Sequence, residues 1–190
     1  MSKIIKIAGL DPSLSNFGIV FGELDITTNK IVKIESMDLA QTEAGNKKTV
    51  RVNSDDLRRA SEIWKKAKPI IDQAQLVFCE LPVGSQSSRA QTSYGICIGV
   101  LACIDKPLIQ VTPIEIKQYV ADKKTTSKEE IINWAYERHP EAPWLKRKEK
   151  GVEKLVNKNE HLADAIAAIY TGVQTDQYRQ ISAVISSLIN

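Results

Sequence analysis

The apolar positions of this chain first fall into three short runs. Residues 4–10, IIKIAGL, are almost continuously apolar and predict a buried strand that stops at Asp11-Pro12. Residues 17–23 predict a second strand, in which Gly18 and Gly22 remove side chains and point to close backbone packing. Residues 31–39 alternate as a third, with Ile31, Lys33 and Glu35 on one face and Val32, Ile34 and Ser36 on the other. Such short spacings predict an antiparallel meander. A polar stretch follows, TEAGNKKTVRVNS, which reads as a loop. Ser54 then predicts a helix N-cap, with Asp55 and Asp56 in the first turn and Leu57, Ile63, Trp64 and Ala67 turned inward. Pro69 predicts a kink or restart.

Beyond it the pattern changes to strands separated by helices. Residues 75–81 predict a fourth strand, and 87–104 a long helix rich in small residues, Ala90, Ser93, Gly95, Gly99 and Ala102, which suit close approach of another backbone. Residues 107–111 predict a fifth strand. Thr112-Pro113-Ile114-Glu115 and Ser127-Lys128-Glu129-Glu130 are capping boxes, the first with proline at the opening helical position. The second helix stops before Pro140. Residues 140–158 read as a charged loop, Asn159 as the cap of a helix to about residue 170, and Thr175 as the cap of an extra C-terminal helix over about 175–189. The whole order predicts an α/β fold: a mixed five-stranded sheet, three antiparallel strands and then parallel β-α-β units, with helices on both faces.

The 190 residues carry no internal repeat or linker, so a single domain over 1–190 is expected. Hydrophobic residues at 43% and charged residues at 26% suit an ordinary packed core. The net charge of +3 says little about a partner, but its clustering says more. Lys146, Arg147, Lys148, Lys150, Lys154 and Lys158 crowd the 144–158 stretch, and Lys47, Lys48, Arg51, Arg58 and Arg59 form a second group. The simplest reading of each is a solvated face. Cys79, Cys97 and Cys103 lack metal-ligand spacing and sit in apolar surroundings, which predicts buried, reduced thiols and a cytoplasmic protein. The start has the character of a strand and not of a signal peptide, and no segment has the length to span a bilayer.

Candidate chemistry rests on three carboxylates. Asp11 and Glu80 each end an apolar strand, and Asp164 interrupts the alanine-rich helical stretch NEHLADAIAAIY. Charges at such places are costly unless paired or bound to metal. Strand alternation lets Asp11 and Glu80 stand side by side, and His161, three residues before Asp164, shares its helix face. Taken singly, Asp11 is also a turn former before proline, Glu80 a lysine partner, and His161 and Asp164 residues near a helix start. Together they suit two Mg²⁺ ions about 4 Å apart, with Mn²⁺ a possible substitute, in phosphodiester hydrolysis.

The motifs GLDPSLSNFGIV, VFCELP with its following small-residue helix, VTPIEIKQYVADKKTTSKEE and HLADAIAAI occur in an order that resembles the RuvC-type Holliday junction resolvases of the RNase H-like superfamily, in a phage or mobile-element form. The resemblance covers roughly residues 5–170. It implies a structure-selective, Mg²⁺-dependent endodeoxyribonuclease that cuts four-way junctions symmetrically and leaves 5′-phosphate and 3′-hydroxyl ends. It also implies catalytic and metal-binding roles for Asp11, Glu80, His161 and Asp164, with Asp11 bridging both ions. DNA contacts fall on Lys117 and Lys128, and a homodimer forms through the helix at about 87–104. A phage-encoded copy would work in the host cytoplasm. From its basic character, the 140–158 segment is expected to grip DNA through Lys146, Arg147 and Lys148. The chain departs from the family after Glu80, where Leu81-Pro82-Val83-Gly84 replaces the polar and aromatic residues that enter the junction centre.

Other readings are a nuclease for other branched DNA or RNA–DNA hybrids, and a non-catalytic junction-binding protein. Actin-like ATPases and sugar kinases share the sheet and the opening Asp loop but need further glycine-rich phosphate loops, and this chain has 9 glycines and no such loop.

Overall fold

The computed structural model describes residues 2–46, 48–81, 83–121 and 126–188. Lys47, Pro82, the 122–125 part of the basic segment and the last residue of the expected 175–189 helix therefore lie outside the described residues.

The chain opens with β1 (Ile4–Asp11), β2 (Asn16–Asp25) and β3 (Lys30–Gln41), then α1 (Val52–Ile71), β4 (Leu76–Glu80), α2 (Ser88–Leu101) and β5 (Leu108–Val111). It continues with α3 (Pro113–Ala121), α4 (Lys128–Arg138), β6 (Lys146–Glu149), β7 (Val152–Leu155), α5 (Asn159–Gly172) and α6 (Asp176–Leu188). The main sheet has the order β3-β2-β1-β4-β5. β1 runs antiparallel to β2 and parallel to β4, and β4 runs parallel to β5. This is the expected mixed sheet, with β1 at its centre.

Helices cover both faces, and period-2 alternation sorts the core between them. Ile5 and Ile7 of β1 and Leu76 and Phe78 of β4 point toward α5, packing with Leu162, Ala165, Ile166 and Ile169. Ala8, Leu10, Val77 and Cys79 point the other way, toward Ile63 and Ala67 of α1 and Cys97 and Val100 of α2. The α5 face is the one that holds the carboxylates.

Both capping boxes form. Glu115 accepts from Thr112 N at 2.7 Å, and Ser127 and Glu130 cap α4 reciprocally. Thr175 Oγ1 accepts from Tyr178 N at the start of α6. Four local expectations need correction. α1 starts at Val52 without a side-chain cap and does not restart at Pro69 but runs through it to Ile71, with the one backbone donor that proline lacks missing from its last turn. Leu57 is 69% exposed and does not face the core. In β3 the register slips twice, leaving Val32 and Glu35 unmatched on β2, so the simple alternation fails and Val32 bulges outward. Cys103 is exposed, whereas Cys79 and Cys97 are buried as free thiols.

The 140–158 segment, expected as a loop, contains the antiparallel β6–β7 hairpin. Its turn, Lys150-Gly151, has φ of 50° and 83°, the left-handed pair that a tight two-residue hairpin turn requires. Asn159 does not cap α5. It is fully buried, donates from Nδ2 to Leu145 O at 2.7 Å and accepts from Leu145 N at 3.0 Å, which fastens the hairpin's base to the start of α5. Among the described residues no helix is long and apolar enough to cross a membrane.

Candidate active site

Asp11 and Glu80 come together because of register. Leu10 of β1 pairs with Cys79 of β4, so the next residue on each strand is Asp11 and Glu80, both turned to the α5 face. α5 lies unusually close to that face, and two glycines permit it. A side chain at Gly9 would meet Ala165 O at 2.4 Å, and one at Gly18 would meet His161 O at 2.3 Å. Gly18 is the partner of Asp11 across the β1–β2 ladder. The missing side chain at Gly18 therefore lets the first turn of α5 descend on Asp11.

The contact that results is direct. His161 Nδ1 lies 2.6 Å from Asp11 Oδ2 and donates to it when Asp11 is ionised. The imidazole's other nitrogen lies 3.4 Å from Glu160 Oε1, and Glu160 in turn receives Lys128 Nζ at 2.7 Å. Asp11, Glu80, His161 and Asp164 line one cleft of about 460 Å³, with Ser13, Val83, Gly84, Tyr94, Lys128 and Glu160 completing its wall. Neither Glu80 nor Asp164 has a hydrogen-bond or ion-pair partner for its carboxylate among the described residues.

The electrostatics follow from that crowding. Burial pushes Glu80 up to about 8, and the Asp11 charge adds to the rise against a smaller pull from Lys117. Asp164 is raised well above the usual carboxylate range by burial, then by Asp11 and Glu80. Burial also raises Asp11, although its hydrogen bond to His161 works the other way. At His161 burial opposes the charged imidazole, but Asp11, Glu160 and Asp164 outweigh it and the net shift is upward. Three carboxyls and one imidazole around one cleft thus hold protons more tightly than they would in water.

The donor set suits a hard divalent cation: carboxylate oxygens and one imidazole, two of the carboxylates unpartnered and open to the cleft. Among the described residues no three of these groups are closed around a common point, so the arrangement is a lined cleft and not a preformed shell.

Of the expected DNA contacts, Lys128 stands on the cleft wall with its side chain 78% exposed, and Lys117 is near enough to Glu80 to influence it. Lys146, Arg147 and Lys148 are elsewhere, exposed on β6. There Lys146 pairs with Glu153 at 3.5 Å and Arg147 with Glu149 at 3.4 Å. Sequence reasoning missed Glu160 and Tyr94. Glu160 had one available signal, since it precedes His161 at the start of a helix, but the helix dipole explains an acid there equally well.

No family model matches the chain, and no curated sequence matches it. Solved structures do. RuvC of Thermus thermophilus, in complex with a Holliday junction substrate, superposes with a TM-score of 0.61 at 16% identity, covering 93% of this chain and 96% of that one. A second Thermus thermophilus RuvC structure gives 0.57 at 15%, again over 93% and 96%. The fold is that of RuvC. The yeast mitochondrial Holliday junction resolvase Ydc2 shares it, with a TM-score of 0.53 at 12% identity over 94% of this chain and 85% of that one. Nearly the full length of this chain takes part in the match.

Proposed function

We propose that this protein is a RuvC-type, structure-selective DNA endonuclease that resolves four-way junctions, cutting two strands symmetrically and leaving 5′-phosphate and 3′-hydroxyl ends. The observation that carries the reading is the convergence of Asp11, Glu80, Asp164 and His161 on one cleft at the end of the central strands. Asp11, Glu80, Asp164 and His161 would hold two Mg²⁺ ions, for which Mn²⁺ can substitute. When bound, those ions neutralise a phosphodiester's charge and lower the pKa of water.

The chain's own residues do the rest. His161 orients Asp11 through the 2.6 Å contact and is itself held from the other side by Glu160. Lys128, anchored on Glu160 but mostly exposed, is a cation at the cleft wall within reach of a backbone phosphate. Lys117 partly offsets the charge on Glu80. Val83, 66% exposed beside the cleft, stands where the resemblance leads one to expect an aromatic or polar residue, so any unstacking at the junction centre falls to an aliphatic side chain.

A homodimer through α2 is part of this proposal, since symmetric cleavage needs two sites. An apolar groove of about 480 Å³ runs between α1 and α2, lined by Leu57, Trp64, Ile96, Gly99, Val100 and Cys103. A side chain at Gly95 or Gly99 would meet nothing within 4 Å. Exposed apolar surface of this kind is normally covered.

The test is a cleavage panel of immobile four-way junction, fork, RNA–DNA hybrid and plain duplex in Mg²⁺. Paired, symmetric nicks in the junction and little cutting of duplex are expected. Preferred cutting of the hybrid would move the protein to the RNase H-like alternative, and binding without cutting would make it a junction-binding protein.

A further inference from the structure

A further cavity, of about 650 Å³, is bordered by residues of the turn that follows Asp11. It is lined by Ser15, Asn16, Gln41, Thr42, Glu43, Ala44, Arg59 and Lys158. Arg59 is the unusual member. It is 4% exposed, yet no carboxylate among the described residues lies within ion-pair distance of it. Its partners are neutral oxygens: Nε donates to Thr42 Oγ1 at 2.9 Å, and Nη2 donates to Leu14 O at 3.1 Å and Ser15 Oγ at 2.9 Å. Nη1 donates to no described residue. The nearby acids are already engaged, Asp56 by both Nη atoms of Arg89 at 2.6 Å, and Asp55 by Arg58 at 2.7 Å. A buried guanidinium without an anion in contact is costly, and a ligand anion would relieve that cost.

The rest of the lining suits such an anion. Lys158 is exposed and forms no ion pair among the described residues. The Asn16 amide accepts from Gln41 Nε2 through its oxygen, leaving its NH₂ free, and the Ser15 hydroxyl hydrogen is unused by its bond from Arg59. Glu43, exposed, is the acidic residue on the wall. The wall has no aromatic ring and no large apolar side chain to hold a base or a lipid. One turn separates the two cavities: Ser13 lines the carboxylate cleft and Ser15 this one, while Lys158 lies three residues before His161.

We infer that this cavity is a phosphate subsite that takes a non-scissile backbone phosphate of the strand cut in the carboxylate cleft. Arg59 and Lys158 supply the charge, and Ser15 and Asn16 supply further donors. The inference rests on the junction-nuclease reading, and its experiment separates the two.

Single methylphosphonates, which are neutral, are walked along the cleaved strand of a four-way junction. Binding is measured in the Asp11→Asn background so that the substrate stays whole. One position flanking the scissile phosphate should weaken binding by about tenfold, and Lys158→Ala should abolish the penalty at that position alone. Arg59→Lys, which keeps the charge and loses the fork, should reduce it, with thermal melting reporting whether the turn still folds. Equal penalties at every position with and without Lys158 overturn the subsite while leaving the nuclease reading intact. Failure to bind any branched DNA overturns both. Amide shifts at Ser15 and Asn16 on titration with inorganic phosphate, coupled with a flat methylphosphonate walk, would make this a free-anion pocket and also overturn the inference.

Discussion

At Glu80 the carboxyl is raised to about 8, first by burial and then by the charge of Asp11, while Asp11 and Asp164 move in the same direction. A carboxyl whose pKa is higher in the folded chain than in the unfolded one favours folding only while it is protonated. The folded state therefore loses stability as pH rises from the ordinary carboxyl range through about 8. His161 adds to the same trend. Its raised pKa contributes stability that is complete below the ordinary imidazole value and lost as pH climbs through the shifted one. Metal-free protein should thus melt at a lower temperature at pH 8 than at pH 5, and Glu80→Gln should flatten that fall. Addition of Mg²⁺ should raise the melting temperature more at pH 8 than at pH 5, and the gain should shrink in Asp11→Asn. An unchanged melting curve across this pH range would contradict the crowding of acids on which the site depends. Asp11 and Glu80 were legible in the sequence because each is an acid at the end of an apolar run, and Asp164 because it interrupts an alanine-rich helix. Glu160 was not, because an acid in the first turn of a helix has an ordinary one.

Among the elements, α5 decides whether the cleft exists. Its approach depends on Gly18, opposite Asp11 and in contact with the His161 backbone. Gly18→Val should push the helix start away from β1, reduce stability by about 1–3 kcal/mol, and abolish cleavage through a position that touches no substrate. Gly99→Ala is the matched control for the fold of the single chain, since its new methyl meets nothing of its own chain within 4 Å and should leave the monomer's stability unchanged or slightly higher. Asn159 holds the other end of the arrangement. Asn159→Ala strips two hydrogen bonds from Leu145 and should cost about 2 kcal/mol, read by denaturant unfolding, while loosening the hairpin from α5. The hairpin itself was not legible. Its strands, KRKE and VEKL, carry almost none of the β-branched and aromatic residues that mark a strand, and only the Lys150-Gly151 turn betrays it. The capping boxes and the strand–helix alternation were legible because local hydrogen bonding and period-2 burial set them without help from distant residues. Leu57 misled because its helix spacing marks an apolar face, and that face looks outward across the α1–α2 groove.

At the scale of the whole molecule, cleft, hairpin and groove lie on different parts of one fold, and each has a share in the proposed junction resolution. Charge reversal at Lys146, Arg147 and Lys148 should weaken junction binding and flatten its dependence on salt; unchanged affinity would remove the hairpin from the DNA surface. A charge placed in the α1–α2 groove, as in Ile96→Arg, should yield a monomer by sedimentation and turn paired cuts into single nicks. The measurement that bears most directly on the whole is nicking of an immobile four-way junction in Mg²⁺ by the native protein and by Asp11→Asn. Symmetric nicks by the native chain, with Asp11→Asn still binding the junction but leaving it uncut, is the predicted result. Cleavage that survives Asp11→Asn would contradict it.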